Sequence, residues 1–295
     1  MEKIAVLYIA FNRPVETETS LKIIEDNVEE KFFDFFAFID SPKSNKDFQL
    51  NQEVTRIIKT SRLNFIVHKR ERNLGLKENI ESAIKFIIGL YSKFIIIEDD
   101  ICVGKHTFWF LKDSLKNYED ENSVFQISGY NFNVPLKLKK APYFLPVGTS
   151  QIWGSYSRVW KNYFSKMDSI NYKSLNLKQR LFFNVIFFSG FKKMLKNQIE
   201  RKDKTSWAIF FRLYIAKENG LVLFPPRNLI RNIGWKENAT NSRNEQLVPD
   251  EHKFMNQKVN SEKRKTTISF LGLIDLIFFY LKEFISSRFI FLVHK

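Results

Sequence analysis

The chain has 295 residues, enough to bury the core of one large α/β domain without disulfide bonds. Its single cysteine, Cys102, excludes an internal disulfide and a zinc cluster of cysteines, and it favours a reducing compartment. The formal charge of +15 indicates affinity for phosphates or anionic surfaces, but the Lys and Arg residues are spread among acids along the chain, a pattern that disfavours a nucleic-acid-binding protein.

Up to Asp100, predicted strands alternate with predicted helices. Apolar runs are typical of buried strands, and they occupy residues 4–10, 32–39 and 94–97; residues 64–67 are predicted as a further short strand. Apolar spacing and turn signals predict helices between them, at residues 17–28, 51–59 and 76–90. This alternation favours an α/β fold with a mostly parallel sheet and helices on both of its faces. Further along the chain, helices are predicted at residues 181–199 and 207–217, and a last strand or turn is predicted at residues 229–234.

Three polar clusters follow these predicted strands. They are Asn12 with Arg13, then Asp40, then Glu98 with Asp99 and Asp100. Parallel strands end at the same edge of a sheet, and ligands of open α/β sheets bind beyond that edge. The clusters are therefore expected to face a single site.

The acidic cluster calls for a positively charged partner. Three carboxyl groups at the end of a buried strand repel one another, and a divalent cation would relieve that repulsion. Mn²⁺ or Mg²⁺ prefers oxygen ligands, commonly takes one or two protein carboxylates, and leaves its other positions to water and substrate phosphates. A nucleoside diphosphate fits this description. The alternative is that the acids cap a helix or lie in a solvated loop.

A resemblance to a known family comes from the order and spacing of short motifs. These are Phe11-Asn12-Arg13-Pro14, Asp40-Ser41-Pro42-Lys43, Arg72-Asn73-Leu74-Gly75-Leu76, Ile97-Glu98-Asp99-Asp100-Ile101, Trp153-Gly154-Ser155-Tyr156, Ser206-Trp207-Ala208-Ile209 and residues 225–234. Together they resemble the motifs of bacterial GT-A sugar transferases, similar to family 2 and to the N-acetylglucosaminyltransferase I group. The resemblance covers residues 1–245, with a nucleotide-sugar half at 1–125 and an acceptor half at 126–245.

The resemblance implies roles for the residues around the predicted sheet edge. Phe11, Asn12, Arg13, Pro14 and Asp40 would hold the nucleotide base and ribose, with Arg72 near the phosphates and Asn73 in the same site. Asp100 would be the principal metal ligand, Asp99 would lie near the ribose or sugar, and Glu98 would support the pair. As alternatives, Asn12 and Asp40 cap following helices, and Arg72 is a surface side chain.

The predicted catalytic base departs from the family pattern. In inverting members a carboxylate deprotonates the acceptor hydroxyl, and the resemblance implies an aspartate where this chain has Thr205. Asp203 is the predicted substitute; the alternatives are a solvent-exposed Asp203, a retaining reaction, or a protein without activity. Trp153, Gly154 and Trp207 are predicted to contact the acceptor or sugar, because indoles offer a flat apolar face, and core packing is the alternative.

The C-terminal part is predicted to comprise a polar linker at 246–267 and an amphipathic helix at 268–295. Asp275, Lys282, Glu283 and Arg288 argue against a membrane-spanning helix. The helix is expected either to lie on an anionic membrane surface or to dock on the domain. Because the apolar run at 4–11 is too short for a signal peptide, the expected location is the cytoplasmic face of the membrane.

These features predict a metal-assisted, inverting hexosyltransferase. It would use Mn²⁺ or Mg²⁺ to move a sugar from a nucleotide-sugar donor to a surface glycan, such as lipopolysaccharide or capsule, or to a lipid-linked glycan. The main alternative is an inactive nucleotide- or glycan-binding protein of the same fold. A nucleotidyltransferase is disfavoured because the loop at 11–14 contains no glycine.

Overall fold

The computed structural model describes residues 2–132, 140–185, 190–200, 206–234 and 258–293, with side chains up to 282 in the last segment. The strands are β1 Ile4–Ala10, β2 Phe33–Ile39, β3 Ile66–Lys69, β4 Lys93–Glu98, β5 Ile101–Val103, β6 Val124–Ser128, β7 Tyr143–Leu145, β8 Trp153–Tyr156, β9 Leu221–Phe224 and β10 Ile230–Asn232. The helices are α1 Pro14–Asn27, α2 Asn45–Thr60, α3 Gly75–Ile87, α4 Thr107–Asn117, α5 Ser157–Lys166, α6 Leu177–Phe183, α7 Phe191–Glu200, α8 Trp207–Lys217 and α9 Phe270–Val293.

Eight strands form one sheet in the order β3-β2-β1-β4-β8-β6-β9-β7. The first four run parallel to one another. β8 and β7 are antiparallel to their neighbours, so the other six strands share a direction. The predicted α/β fold with a mostly parallel sheet is therefore confirmed. A separate two-stranded sheet pairs β10 with β5, directly after the acidic cluster.

The core lies on both faces of the sheet. All seven residues of β1 are buried, and so are all five of β6, as expected for strands covered by helices on each side. On α4, Phe108, Leu111 and Leu115 are buried at helical spacing. Each such side chain contributes about 1.5–3 kcal/mol when fully removed from water. This core fixes the strand ends that carry the polar clusters.

The helix predicted from Leu181 onwards is two helices in the structure. α6 begins with a capping box, in which Asn176 and Gln179 bond each other's backbone N–H groups. Val185 and Gly190 both have positive φ angles, which a continuing helix cannot contain. The prediction of one helix over 181–199 was therefore wrong. α8, by contrast, coincides with the predicted helix at 207–217.

The C-terminal helix α9 docks on the domain through its first half. Leu276 is fully buried, Asp275 lies in the same interface, and Gly272 packs closely against the ring of Tyr143. Phe270 and Phe278 point outwards, with 74% and 46% of their surface exposed. Within the described residues, no helix is both long and apolar enough to cross a bilayer. The docking alternative thus describes one face of α9, and the other face is apolar and exposed.

Part of the predicted polar linker lies against α4. Asn117 Nδ2 donates to the Ser261 carbonyl at 2.6 Å, and the Arg264 N–H donates to the Tyr118 hydroxyl at 2.7 Å. Residues 258–264 are therefore held to the domain. Most of the rest of the linker, residues 246–257, lies outside the described part of the chain.

Candidate active site

The acids and the first loop meet between β1 and β4. From β1 the chain leads outwards to β2 on one side, whereas β4 lies on the other side. Such a reversal of strand order opens a crevice at the carboxyl ends of the strands, where α/β proteins bind ligands. Ile9 pairs with Glu98 across this boundary. The structure therefore brings the loop at 11–14 and the acids to one site, as the sequence predicted.

Two hydrogen bonds tie the loop to the acids. The backbone N–H of Phe11 donates to Asp99 Oδ2 at 3.2 Å. The Arg13 guanidinium donates to Asp100 Oδ2 at 2.6 Å and forms an ion pair with it. Asp99 and Asp100 are buried, each with 6% of its surface exposed, and Glu98 is partly buried. The loop and acids thus form one bonded unit.

The three acids of this unit carry more negative charge than the Arg13 guanidinium can balance. Burial raises the pKa of Glu98 well above its ordinary value, and repulsion from Asp100 and Asp99 adds to the rise. Burial, with repulsion from Asp100, raises the pKa of Asp99 to about 7. Burial also raises the pKa of Asp100, although Arg13 opposes that rise. One guanidinium therefore compensates three acids only in part, and a further cation would be stabilised here.

Asp100 is suited to hold a metal ion. Its Oδ1 is buried and has no hydrogen-bond partner, and a hard cation such as Mn²⁺ or Mg²⁺ takes carboxylate oxygens of this kind. Within the described segments, no set of three His, Cys, Asp or Glu side chains converges on a metal position. The donor set fits an ion held by one or two carboxylates and completed by water and phosphate oxygens.

Asp40 is bonded to the protein rather than open to a ligand. Its carboxylate accepts hydrogen bonds from the N–H groups of Ser41, Leu74 and Gly75 at 2.9, 2.8 and 2.8 Å, and from Asn73 Nδ2 at 3.1 Å. These four donors occupy both oxygens. Asp40 thus caps the start of α3, which is the alternative that the sequence left open for it. Its contact with the base or ribose stays a prediction.

Asn12 also bonds within the protein. Its Nδ2 donates to Asp47 Oδ1 at 2.6 Å, which holds the loop against the first turn of α2. Sequence reasoning missed Asn51, whose buried Nδ2 donates to the carbonyls of Phe11 and Asp40 at 2.7 and 2.8 Å. Asn51 is a polar residue on the buried face of the amphipathic helix α2, and this combination is the sequence signal that could have identified it. These contacts fix the loop at 11–14 from the side away from the acids.

Arg72 is a surface residue in this structure. It forms an ion pair with Glu78 at 2.8 Å, and 71% of its side chain is exposed. This is the alternative that the sequence left open for it. Its neighbour Asn73 donates to the Ser41 carbonyl at 2.6 Å as well as to Asp40, so Asn73 ties the two loops together.

The residues directly after β10 lie against Asp100. Ile233 N–H donates to the Asp100 carbonyl at 2.9 Å. A Cβ on Gly234 would overlap Asp100 Oδ2 and would lie 2.9 Å from the Arg13 guanidinium. Glycine is therefore required by close approach at this position. The sequence predicted a strand or turn here but did not predict its contact with Asp100.

The two tryptophans predicted to contact sugar lie in the core. Trp153 and Trp207 have 0% and 2% of their surface exposed and pack against each other with ring centroids 5.1 Å apart. Trp160 stacks on Trp153 at 5.5 Å. A Cβ on Gly154 would collide with Leu115. Trp153, Gly154 and Trp207 therefore pack in the core, which is the alternative that the sequence left open for them, and their contact with the acceptor or sugar stays a prediction.

The predicted catalytic base falls in a short segment before α8. Asp203 and Thr205 lie in the segment 201–205, outside the described residues. Ser206, which precedes α8, is described, and its N–H donates to Gln198 Oε1 at 3.1 Å.

Comparison with solved structures relates this chain to sugar transferases, whereas no family model and no curated protein matches the sequence. GalNAc-T7 with UDP, GalNAc and Mn²⁺ is 12% identical over 83% of this chain and 46% of that chain, with a TM-score of 0.50. The mannosyltransferase PcManGT from Pyrobaculum calidifontis, with GDP-Man and Mn²⁺, is 10% identical over 74% and 70%, with a TM-score of 0.42. TarS 1–349 from S. aureus is 13% identical over 72% and 70%, with a TM-score of 0.41.

The likeness to GalNAc-T7 extends over most of the sheet-bearing chain, although the chain spans less than half of that protein's length. At this identity the likeness shows the fold and not the activity. The chain has the GT-A fold.

Proposed function

We propose that this protein is a metal-assisted glycosyltransferase that moves a sugar from a nucleotide-sugar donor to a glycan acceptor. The observation that carries the proposal is the acidic cluster at the crevice between β1 and β4, where Asp100 Oδ1 is buried without a partner. GalNAc-T7, which shares the fold, was solved with UDP, GalNAc and Mn²⁺. A nucleoside diphosphate and a divalent cation are the ligands that this site suits best.

Each residue of the crevice has a proposed task. Asp100 would hold Mn²⁺ or Mg²⁺, whose charge would offset the negative charge that develops on the departing diphosphate. Asp99 and Glu98 keep the local field negative and so favour the cation. The loop from Phe11 to Pro14 would border the donor, with Arg13 placed where its guanidinium can turn from Asp100 to a phosphate oxygen.

The acceptor hydroxyl must lose a proton as it attacks the sugar in an inverting reaction. We assign this step to Asp203, with the proton passing to its carboxylate while the bond to the diphosphate breaks on the opposite side of the anomeric carbon. A protein that binds nucleotide and lacks a base at this position would be an inactive relative, and it would bind the donor without releasing the nucleotide.

Calorimetry with UDP, GDP, CMP and dTDP, each with and without Mn²⁺, tests the donor site. We expect one nucleotide to bind at least about tenfold more tightly with Mn²⁺, and Asp100→Ala to remove that difference. Asp26→Ala removes an exposed acid from the far end of α1 and serves as the control. Equal affinity with and without Mn²⁺ for all four nucleotides would remove the metal-assisted proposal.

A second assay separates catalysis from binding. Release of nucleotide from a panel of sugar donors, measured with candidate glycan acceptors, should depend on both Asp100 and Asp203. Tight binding of a donor without release under any of these conditions would support the inactive alternative.

We further propose a surface glycan as the acceptor and contact with an anionic membrane through α9. The exposed side chains Phe270, Leu271 and Phe278 provide an apolar face, and Lys265, five residues before the helix begins, is an exposed cation. Such a face binds the boundary between headgroups and acyl chains. Co-sedimentation with phosphatidylglycerol vesicles should fall in Phe270→Ser/Phe278→Ser, and unchanged co-sedimentation would remove this contact.

A further inference from the structure

A basic cavity lies away from the acids, between three chain segments. Its volume is about 410 Å³, and residues 140–142, 226–227, 258–260 and 264 contribute its lining. Four lining residues are cations: Lys140, Arg227, Lys258 and Arg264. None of its lining residues is acidic. All four cations are exposed to solvent, so a ligand could reach them.

The walls of the basic cavity are anchored. Asn131 Nδ2 donates to the Pro225 carbonyl at 2.8 Å, next to the segment that carries Arg227. The Arg264 N–H donates to the Tyr118 hydroxyl at 2.7 Å. The Lys258 ammonium lies 4.9 Å from the centre of the Trp109 ring, a favourable contact for a cation. The backbone of Arg264 and the backbone next to Arg227 are thus held to the domain.

Among the described residues, the acids of other elements that contact the segment 258–264 form ion pairs with lysines that do not line the cavity. Two acids contact the segment 258–264, and each has another lysine as its ion-pair partner. Glu121 pairs with Lys263 at 2.9 Å, and Asp113 pairs with Lys112 at 3.4 Å. Positive charges gathered in a concave site attract phosphate oxygens, which accept several charge-assisted hydrogen bonds at once.

A short segment connects the basic cavity to the acidic cluster. Arg227 lies in the cavity wall, and Ile233 and Gly234 lie against Asp100. β9, which leads into the cavity wall, is three positions from β4 in the sheet, or about 14 Å at a strand spacing of about 4.8 Å. The seven residue steps from Arg227 to Gly234 limit the separation to about 23 Å at about 3.3 Å per residue. Both sites therefore open towards one edge of the sheet.

We infer that the basic cavity binds phosphate groups carried by the acceptor. This inference rests on the proposed transferase function, in which the donor diphosphate and its metal ion lie at Asp100. A second phosphate site about 14 Å away along the sheet is too distant for the same diphosphate. The acceptor would then be a glycan whose reactive hydroxyl reaches the acids while its phosphate, from a lipid headgroup or from a phosphorylated glycan, occupies the cavity.

Calorimetric titration with pyrophosphate, in the absence of divalent metal and at about 0.1 M salt to screen diffuse attraction, tests the cavity. The cavity variant replaces three exposed cations: Lys140→Gln, Lys258→Gln and Arg264→Gln. The control variant removes the same charge from exposed sites on α1, α2 and α5: Lys22→Gln, Lys59→Gln and Lys161→Gln. We expect pyrophosphate binding to weaken at least about tenfold in the cavity variant and less than about twofold in the control.

Two results would overturn the inference. One is equal pyrophosphate affinity in the cavity variant and the wild type, and the other is equal weakening in both variants, which would show attraction to overall charge. Binding of UDP with Mn²⁺ reports separately on the proposed function: it should persist in the cavity variant and should not displace pyrophosphate. Displacement would place pyrophosphate at the donor site and also overturn the inference.

The source of the phosphate is distinguished by competition. If phosphatidylglycerol vesicles displace pyrophosphate from the wild type and phosphatidylcholine vesicles do not, the cavity takes a lipid headgroup. If neither vesicle displaces pyrophosphate but a soluble phosphorylated glycan does, the acceptor itself is the source. Either pattern supports a phosphate-bearing acceptor, and failure of both to displace pyrophosphate would contradict it.

Discussion

Replacing Asp40 by alanine should destabilise the protein rather than simply weaken donor binding. The carboxylate accepts four hydrogen bonds, three of them from backbone N–H groups, and only 5% of Asp40 is exposed. A hydrogen bond to a charged group contributes about 1.5–3 kcal/mol, and a buried donor left without a partner costs about 1–3 kcal/mol. Allowing for water at some donors, we expect a loss of about 3–5 kcal/mol in the free energy of unfolding.

For a chain of this size, that loss corresponds to a fall of about 6–20 °C in Tm, at about 2–4 °C per kcal/mol. Thermal unfolding followed by circular dichroism measures it, with Asp26→Ala as an exposed control expected to change stability by less than about 0.5 kcal/mol. Asp40→Asn should cost less than Asp40→Ala, because its carbonyl oxygen keeps two of the four bonds. A Tm within about 2 °C of the wild type, together with lost UDP affinity, would refute the capping role and restore Asp40 to the nucleotide site.

Three further substitutions test the site and the core. Arg13→Gln removes the cation paired with Asp100. Mn²⁺ alone should then bind at least about tenfold more tightly, measured by electron paramagnetic resonance, because one charge at about 4 Å contributes about 1–4 kcal/mol. Weaker Mn²⁺ binding would contradict competition between Arg13 and the metal ion at Asp100. Gly234→Ala should abolish Mn²⁺ binding with little change in Tm, because its Cβ overlaps Asp100 Oδ2, and unchanged Mn²⁺ affinity would show that the segment moves freely. Trp153→Ala should cost about 3–5 kcal/mol of stability; a stable variant that loses only acceptor affinity would return Trp153 to a sugar site.

Most of the parallel half of the sheet was predictable because β1, β2 and β4 are almost fully buried, whereas β3 at the sheet edge is more exposed. A run such as Ile4–Ala10 has no polar residue to confuse it with a loop, and all seven residues are buried in β1. The prediction of one helix over 181–199 was wrong for a local reason. Its apolar spacing continues through Val185 and Gly190, and only the positive φ angles of these residues reveal the break. Backbone conformation at a non-glycine residue leaves no mark in the hydrophobic pattern.

The sequence predicted where the site lies in the fold, but it predicted few of the contacts between its residues. Strand order placed the loop at 11–14 beside the acids, because β1 and β4 are adjacent. Asp40 also follows a strand, but its bonds to Leu74 and Gly75 join residues more than thirty positions apart, and no local pattern encodes them. The same holds for Gly234, whose closeness to Asp100 depends on the pairing of β10 with β5.

Only the tertiary structure shows where the excess of basic residues could form a binding site. Along the chain, Lys140, Arg227, Lys258 and Arg264 are separated by other residues of both signs, so their spacing predicts no binding site. The fold brings them together because β7 and β9 are neighbours and residues 258–264 are bonded to α4. The acidic cluster lies at the other end of the same short segment. A single ligand that carries phosphate and reaches both sites would be oriented by charge, with its phosphate drawn to the cavity and its neutral, hydroxyl-bearing end left for the acids and their metal ion.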